Sequence, residues 1–184
     1  MYRFTFTLSG KVLFTNRSGT LDRQTIAPIF RPMTDTPASY RRTALILTAA
    51  GAIPFLGFSV ATATLEAPTN ATAGLWLQTY AAVILSFLGG IRWGVSLGEG
   101  PPDSTTLLLS VLPALLGWVI LPFAIILQPA AYWYLALAAL FLAQLAWDWS
   151  SASLPAWFKP MRLGATVAAM GSLVFAWAAM EFGF

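Results

Sequence analysis

Residues 73–97 read AGLWLQTYAAVILSFLGGIRWGVSL, a long apolar run whose single charge is Arg92. A helix needs about 20 predominantly apolar residues to cross the roughly 30 Å core of a bilayer, so this run is long enough to span one. Four further stretches of similar character flank it, at residues 43–63, 105–127, 130–149 and 162–182. The expected fold is all-α: a polytopic integral membrane protein of about five transmembrane helices, filling residues 43–184. The connections are short, so consecutive helices should pack as neighbours. There is no convincing internal repeat, and an odd span count argues against a simple inverted duplication.

Composition agrees. The chain is 58% hydrophobic and 9% charged, against roughly a quarter charged in soluble domains. Such a chain cannot cover a water-facing surface, so the lipid bilayer is its first partner. Cys and His are both absent. That removes disulfides, thiolate nucleophiles, iron–sulfur clusters, His-ligated haem and triads built on His. It also makes a structural zinc site untenable. No phosphate-binding loop, nucleophile elbow or HExxH occurs. No cofactor, metal or catalytic group is therefore expected.

Seven of the ten Lys/Arg lie in residues 1–42, a Ser/Thr/Arg-rich segment interrupted by Pro28, Pro32 and Pro37. No helical or strand period persists there, and it reads as a mostly disordered basic tail. A cytoplasmic flank, a transit peptide and an extension preceding a start at Met33 all fit, the last being favoured. The positives are scattered and carry no binding motif, so nucleic acid is not expected as a partner. With the N-terminus inside, all ten basic residues fall on one side of the membrane. The outer segments around Glu66, Gln128 and Glu181 carry none, which gives an N-in/C-out topology. Ala61-Thr62-Ala63 resembles a signal-peptidase site, but the apolar stretch before it exceeds an ordinary signal core, so the first span should stay uncleaved.

Three sets of residues stand out. Gly90, Gly94 and Gly98 recur every four positions and form a smooth helical stripe that admits a close neighbour. Ordinary packing within the chain is the expected use, and a dimer or partner interface the alternative. Arg92 and Asp148 are the charges well inside spans. Arg92 follows Gly74 by 18 residues and Asp148 follows Ala130 by 18. At 1.5 Å per residue both lie roughly 27 Å down, near the inner interface, where they could pair. A structural ion pair and a proton, anion or substrate site are the competing readings. Trp93, Trp147, Trp149 and Trp157 surround this depth as an interfacial aromatic belt, matched outside by Trp76 and Tyr132-Trp133-Tyr134. Glu99 and Asp103 flank a Gly-Pro-Pro turn and read as solvated loop residues.

From about Ala44 the chain resembles a family of small, uncharacterised bacterial inner-membrane proteins with a domain of unknown function and relatives among mitochondrial transmembrane proteins. The residues that carry the resemblance begin with Gly51-Ala52-Ile53-Pro54-Phe55, Tyr80 and Leu85 to Gly94. They continue with Leu112-Pro113, Trp118, Asp148 and Pro155 through Trp157 to Arg162. The resemblance implies fold and location, with a bacterial inner membrane expected and a mitochondrial inner membrane as the alternative. It brings no activity. The functional expectation is a non-enzymatic membrane protein acting through protein partners, as an assembly factor, scaffold or subunit. The alternative is a small carrier or channel for a proton, ion or metabolite using the Arg92/Asp148 layer.

Overall fold

The structure, a computed structural model, describes residues 4–6, 12–15, 21–22, 37–98, 104–126, 131–151 and 154–183. The chain divides into two units, residues 1–37 and 38–184.

In the first unit three short strands, β1 (Phe4–Phe6), β2 (Val12–Thr15) and β3 (Leu21–Asp22), form an antiparallel sheet in the order β1-β2-β3. Phe4 lies opposite Phe14, and Phe14 opposite Asp22. This differs from the disordered tail expected of residues 1–42. Strands of two to four residues are too short to register as a period, although aromatic and β-branched residues such as Phe4, Thr5, Phe6 and Val12 favour extended backbone.

The second unit is helical: α1 (Ala38–Thr64), α2 (Thr69–Gly98), α3 (Ser104–Ile126), α4 (Tyr132–Ser150) and α5 (Phe158–Phe182). The tail ends where helix begins at Ala38, five residues before the expected first span. Consecutive helices are neighbours, α1 also packs against α5, and α2 also meets α4. At the end of α5, Gly183 adopts the left-handed conformation (φ 66°, ψ 48°), and its N–H donates to the Ala179 carbonyl at 3.0 Å. Glycine suits this cap because it has no Cβ to clash.

Burial is inverted relative to a soluble domain. Leu45, Ile46, Leu47, Ile53, Phe87, Leu108 and Ile126 face outward, while Gln78, Arg92, Gln144, Asp148 and Arg162 are buried. Lipid explains both halves of the pattern, since apolar side chains cost nothing there and polar ones must find partners inside. Helices α1, α2, α3 and α5 are long and apolar enough to cross a membrane. Helix α4, with 19 residues, falls short of that measure because it carries Tyr132, Trp133 and Tyr134 at its start, Trp147 and Trp149 at its end, and Gln144 and Asp148 within. Its buried residues Tyr134, Leu137, Ala138, Phe141, Gln144 and Asp148 form one stripe at helical spacing, so its polar groups point inward.

Two contacts set the helix spacing. Phe55 of α1 meets Tyr80 of α2 and Phe141 of α4 edge to face, at 4.9 and 5.6 Å between ring centroids. The Tyr80 hydroxyl donates to the Gly51 carbonyl at 2.9 Å, one turn before Pro54, whose missing N–H weakens the helix there. Between α2 and α3 the close approach is made by Gly89 against the Ser110 backbone and by Gly117 against Ala82. A Cβ on Gly89 would run into the Ser110 carbonyl oxygen. Gly90 and Gly94, by contrast, have nothing within 4 Å of where a Cβ would stand. The stripe expected to serve packing within the chain therefore faces outward, and its neighbour Gly89 does that work. We predict that Gly89→Ala lowers stability by about 1–3 kcal/mol, as overpacking does. Gly90→Ala should change it by no more than about 0.5 kcal/mol. Thermal unfolding of the detergent-purified variants checks both.

Candidate functional site

One end of the bundle gathers the buried charges of the helical unit. Asp148 stands near the end of α4, Arg92 near the end of α2 and Arg162 in the first turns of α5. All three are buried, at 5%, 5% and 7% exposure. Arg162 Nε donates to Asp148 Oδ2 at 3.0 Å, and Gln144 Nε2, one turn earlier on α4, donates to Oδ1 at 3.2 Å. Both carboxylate oxygens are thus engaged. This corrects the expected pairing: the salt bridge of Asp148 is with Arg162, not Arg92. The physical reason is connectivity. A short turn joins α4 to α5 and brings Arg162 back to the depth of Asp148, whereas Arg92 arrives on a separate helix.

Arg92 still acts on the same carboxylate through its charge, without reaching salt-bridge distance. Its guanidinium carbon lies 4.3 Å from the centroid of the Trp147 ring. Stacking on an aromatic face suits the weakly hydrated guanidinium and is worth about 0.5–2 kcal/mol. Trp147, which is only partly buried, therefore also buttresses Arg92. Nε and Nη1 of Arg92 are buried without a hydrogen-bond partner, as is Nη2 of Arg162. Two cations and one anion leave this layer with an excess positive charge and spare donors.

The surrounding contacts hold the helix ends. Lys159 Nζ donates to the Trp149 carbonyl at 2.8 Å, placing a cation at the negative end of α4. Trp157 meets Tyr40 edge to face at 6.2 Å, and the Arg41 guanidinium lies 5.9 Å from its ring centroid, joining the starts of α1 and α5. Trp93 and Trp149 face outward and fit the interfacial belt. Gly98 ends α2, while Glu99 and Asp103 lie outside the described residues.

A cavity of about 330 Å³ lies beside the charged layer, among α1, α2, α4 and α5. Its lining is mostly apolar, including Ala52, Phe55, Leu88 and Ile91, with Thr48 from α1 and Arg162 and Thr166 from α5 as polar exceptions. The Thr166 hydroxyl is buried and without a partner.

The sequence profile of a family described as proteins of unknown function, DUF3429, matches residues 40–178, from the first turn of α1 to the last turns of α5. The chain belongs to this family. It is also 42% identical, over 99 residues, to Transmembrane protein 69 of Xenopus tropicalis. That match covers 52% of this chain and 38% of the relative, so the chain spans well under half of that protein's length. No solved structure matches the chain. The family match agrees with the resemblance seen in the sequence, and the structure gives its residues physical roles. Gly51, Phe55 and Tyr80 lock α1 to α2, Gly89 meets α3 near Pro113, and Asp148 pairs with Arg162.

Arg162, at the start of the fifth apolar stretch in the sequence, is the partner of Asp148 that the sequence reading does not assign. Two signals could have found it. It lies 14 residues after Asp148 across a helix turn, and Gln144 precedes Asp148 by four, the spacing of facing side chains on a helix. A double-mutant cycle checks the assignment. Asp148→Ala should cost about 3–5 kcal/mol by stranding Arg162, and adding Arg162→Ala should cost little more. The coupling of Asp148 with Arg162 should exceed about 1 kcal/mol, and that with Arg92 should be smaller.

Proposed function

We propose that this multi-pass membrane protein is a non-enzymatic scaffold or subunit that associates laterally, through the Gly90/Gly94 face of α2, with a second helix in the bilayer. The observation that carries the reading is the use of the glycines. Gly89 and Gly117 are consumed by packing within the chain, whereas Gly90 and Gly94 leave an open, smooth strip. Phe87, Trp93 and Leu97 flank that strip and face outward. A small-residue strip between large apolar side chains lets another helix approach closely, and close approach drives association where no hydrophobic effect operates between helices.

The location that fits is a bacterial inner membrane, with a mitochondrial inner membrane as the alternative. In either case Arg41, Arg42, Arg92, Lys159 and Arg162 belong at the inner face, giving an N-in/C-out chain. A second reading, a small carrier for an ion or metabolite, is favoured by the unpartnered nitrogens of Arg92. It has less support, because both oxygens of Asp148 are already held by Arg162 and Gln144.

The test is mass spectrometry of the protein extracted from its membrane into nanodiscs. The reading predicts a stoichiometric second chain, either a further copy or another protein, that Gly94→Ile removes without lowering the unfolding temperature. A single chain carrying bulk lipid alone would sink it, and solute uptake by proteoliposomes of the purified chain would favour the carrier.

A further inference from the structure

The cavity between α1, α2, α4 and α5 has a lining of two unlike kinds. Most of its lining is apolar, including Ala52, Phe55, Leu88 and Ile91, and α5 adds the polar Arg162 and Thr166. Both polar residues are more than nine-tenths buried, at 7% and 1% exposure. Each presents an unpartnered polar atom, Nη2 of Arg162 and Oγ1 of Thr166. A buried donor without an acceptor costs about 1–3 kcal/mol, more when it is charged. The residues that carry these two atoms both line a space that a ligand could fill.

Charge points the same way. The layer holds Arg92 and Arg162 against Asp148, an excess of one positive charge in a medium where an uncompensated ion costs several kcal/mol. An anion beside Arg162 and Thr166 would balance it and accept the free donors together. The cavity's lining includes Leu47 and Phe87, which face outward, so it communicates with the lipid side of the bundle. Its volume lies at the low end of the roughly 300–1,000 Å³ typical of small-molecule sites.

We propose that this cavity binds an anionic amphiphile, with an acyl chain along Ala52, Phe55, Leu88 and Ile91 and a carboxylate or phosphate head at Arg162 and Thr166. The head accepts from Arg162 Nη2 and the Thr166 hydroxyl, while Nε of Arg162 stays on Asp148. The same oxyanion chemistry is offered by a free fatty acid and by an anionic phospholipid. The site is independent of the Gly90/Gly94 face and does not need that face to be occupied.

Photo-crosslinking tests it with the full chain in phosphatidylcholine nanodiscs. The probes are diazirine-bearing fatty acid and phosphatidylglycerol, each against its neutral counterpart, the fatty alcohol and phosphatidylcholine. Adducts are mapped by peptide mass spectrometry. At least one anionic probe should label the cavity wall about tenfold more than its neutral counterpart, and the unlabelled anion should compete. Labelling by the acid alone identifies a free carboxylate as the head, and labelling by phosphatidylglycerol alone identifies a phosphate. Ala52→Phe, which fills the chain space without touching the charges, should reduce cavity labelling about tenfold, and Thr166→Val severalfold. Both variants keep the Asp148–Arg162 pair, and their unfolding temperatures report whether they fold. Equal labelling by anionic and neutral probes would overturn the proposal, as would unchanged labelling of a folded Ala52→Phe variant.

Discussion

The Asp148–Arg162 ion pair is the contact on which the charged end of the bundle depends. A carboxylate cannot stay ionised among apolar helices unless its charge and lone pairs are met. Here one oxygen takes Arg162 and the other takes Gln144. Because Asp148 closes α4 and Arg162 opens α5, meeting that need also fixes how the two helices turn back on each other. Lys159 on the Trp149 carbonyl and Trp157 against Tyr40 extend the same junction to the ends of α4 and α1. The remainder of the bundle is held by shape, through Phe55 between Tyr80 and Phe141 and through Gly89 and Gly117 at the α2–α3 contact.

Membrane physics made much of this legible in the sequence. A helix must satisfy its own backbone in lipid, so span length and apolarity alone located five helices to within a few residues. Depth counting from the outer ends placed Arg92 and Asp148 in one layer, and they share it. What depth could not supply was direction around the helix axis. Arg162 lies on the face of α5 that meets Asp148, and Arg92 turns instead onto Trp147. The same limit applied to the glycines. Gly89 and Gly90 are adjacent in sequence but about 100° apart around the helix, so one packs on Ser110 and the other faces out. The strands among residues 4–22 escaped notice because runs this short carry no period.

Two features of the helical unit are unused by its own folding, and they differ in kind. The Gly90/Gly94 strip is a shape without charge, suited to another helix. The cavity beside Arg162 combines an apolar wall with unpartnered donors, suited to a small anionic molecule. The ionic junction, the open packing face and the cavity are separate features of one bundle. The excess positive charge of the layer bears on the cavity alone, since Asp148 neutralises only one of the layer's two arginines.

The central claim is that Asp148 is paired with Arg162 and only neighboured by Arg92. Solid-state NMR of the protein in lipid bilayers measures this directly, through dipolar coupling between arginine side-chain nitrogens and the Asp148 carboxyl carbon, with Arg92→Lys used to assign the signals. The account predicts a strong coupling from Arg162 Nε, in keeping with its 3.0 Å contact to Oδ2, that persists in Arg92→Lys. A strong coupling that disappears in Arg92→Lys would contradict it, because the carboxylate would then belong to Arg92.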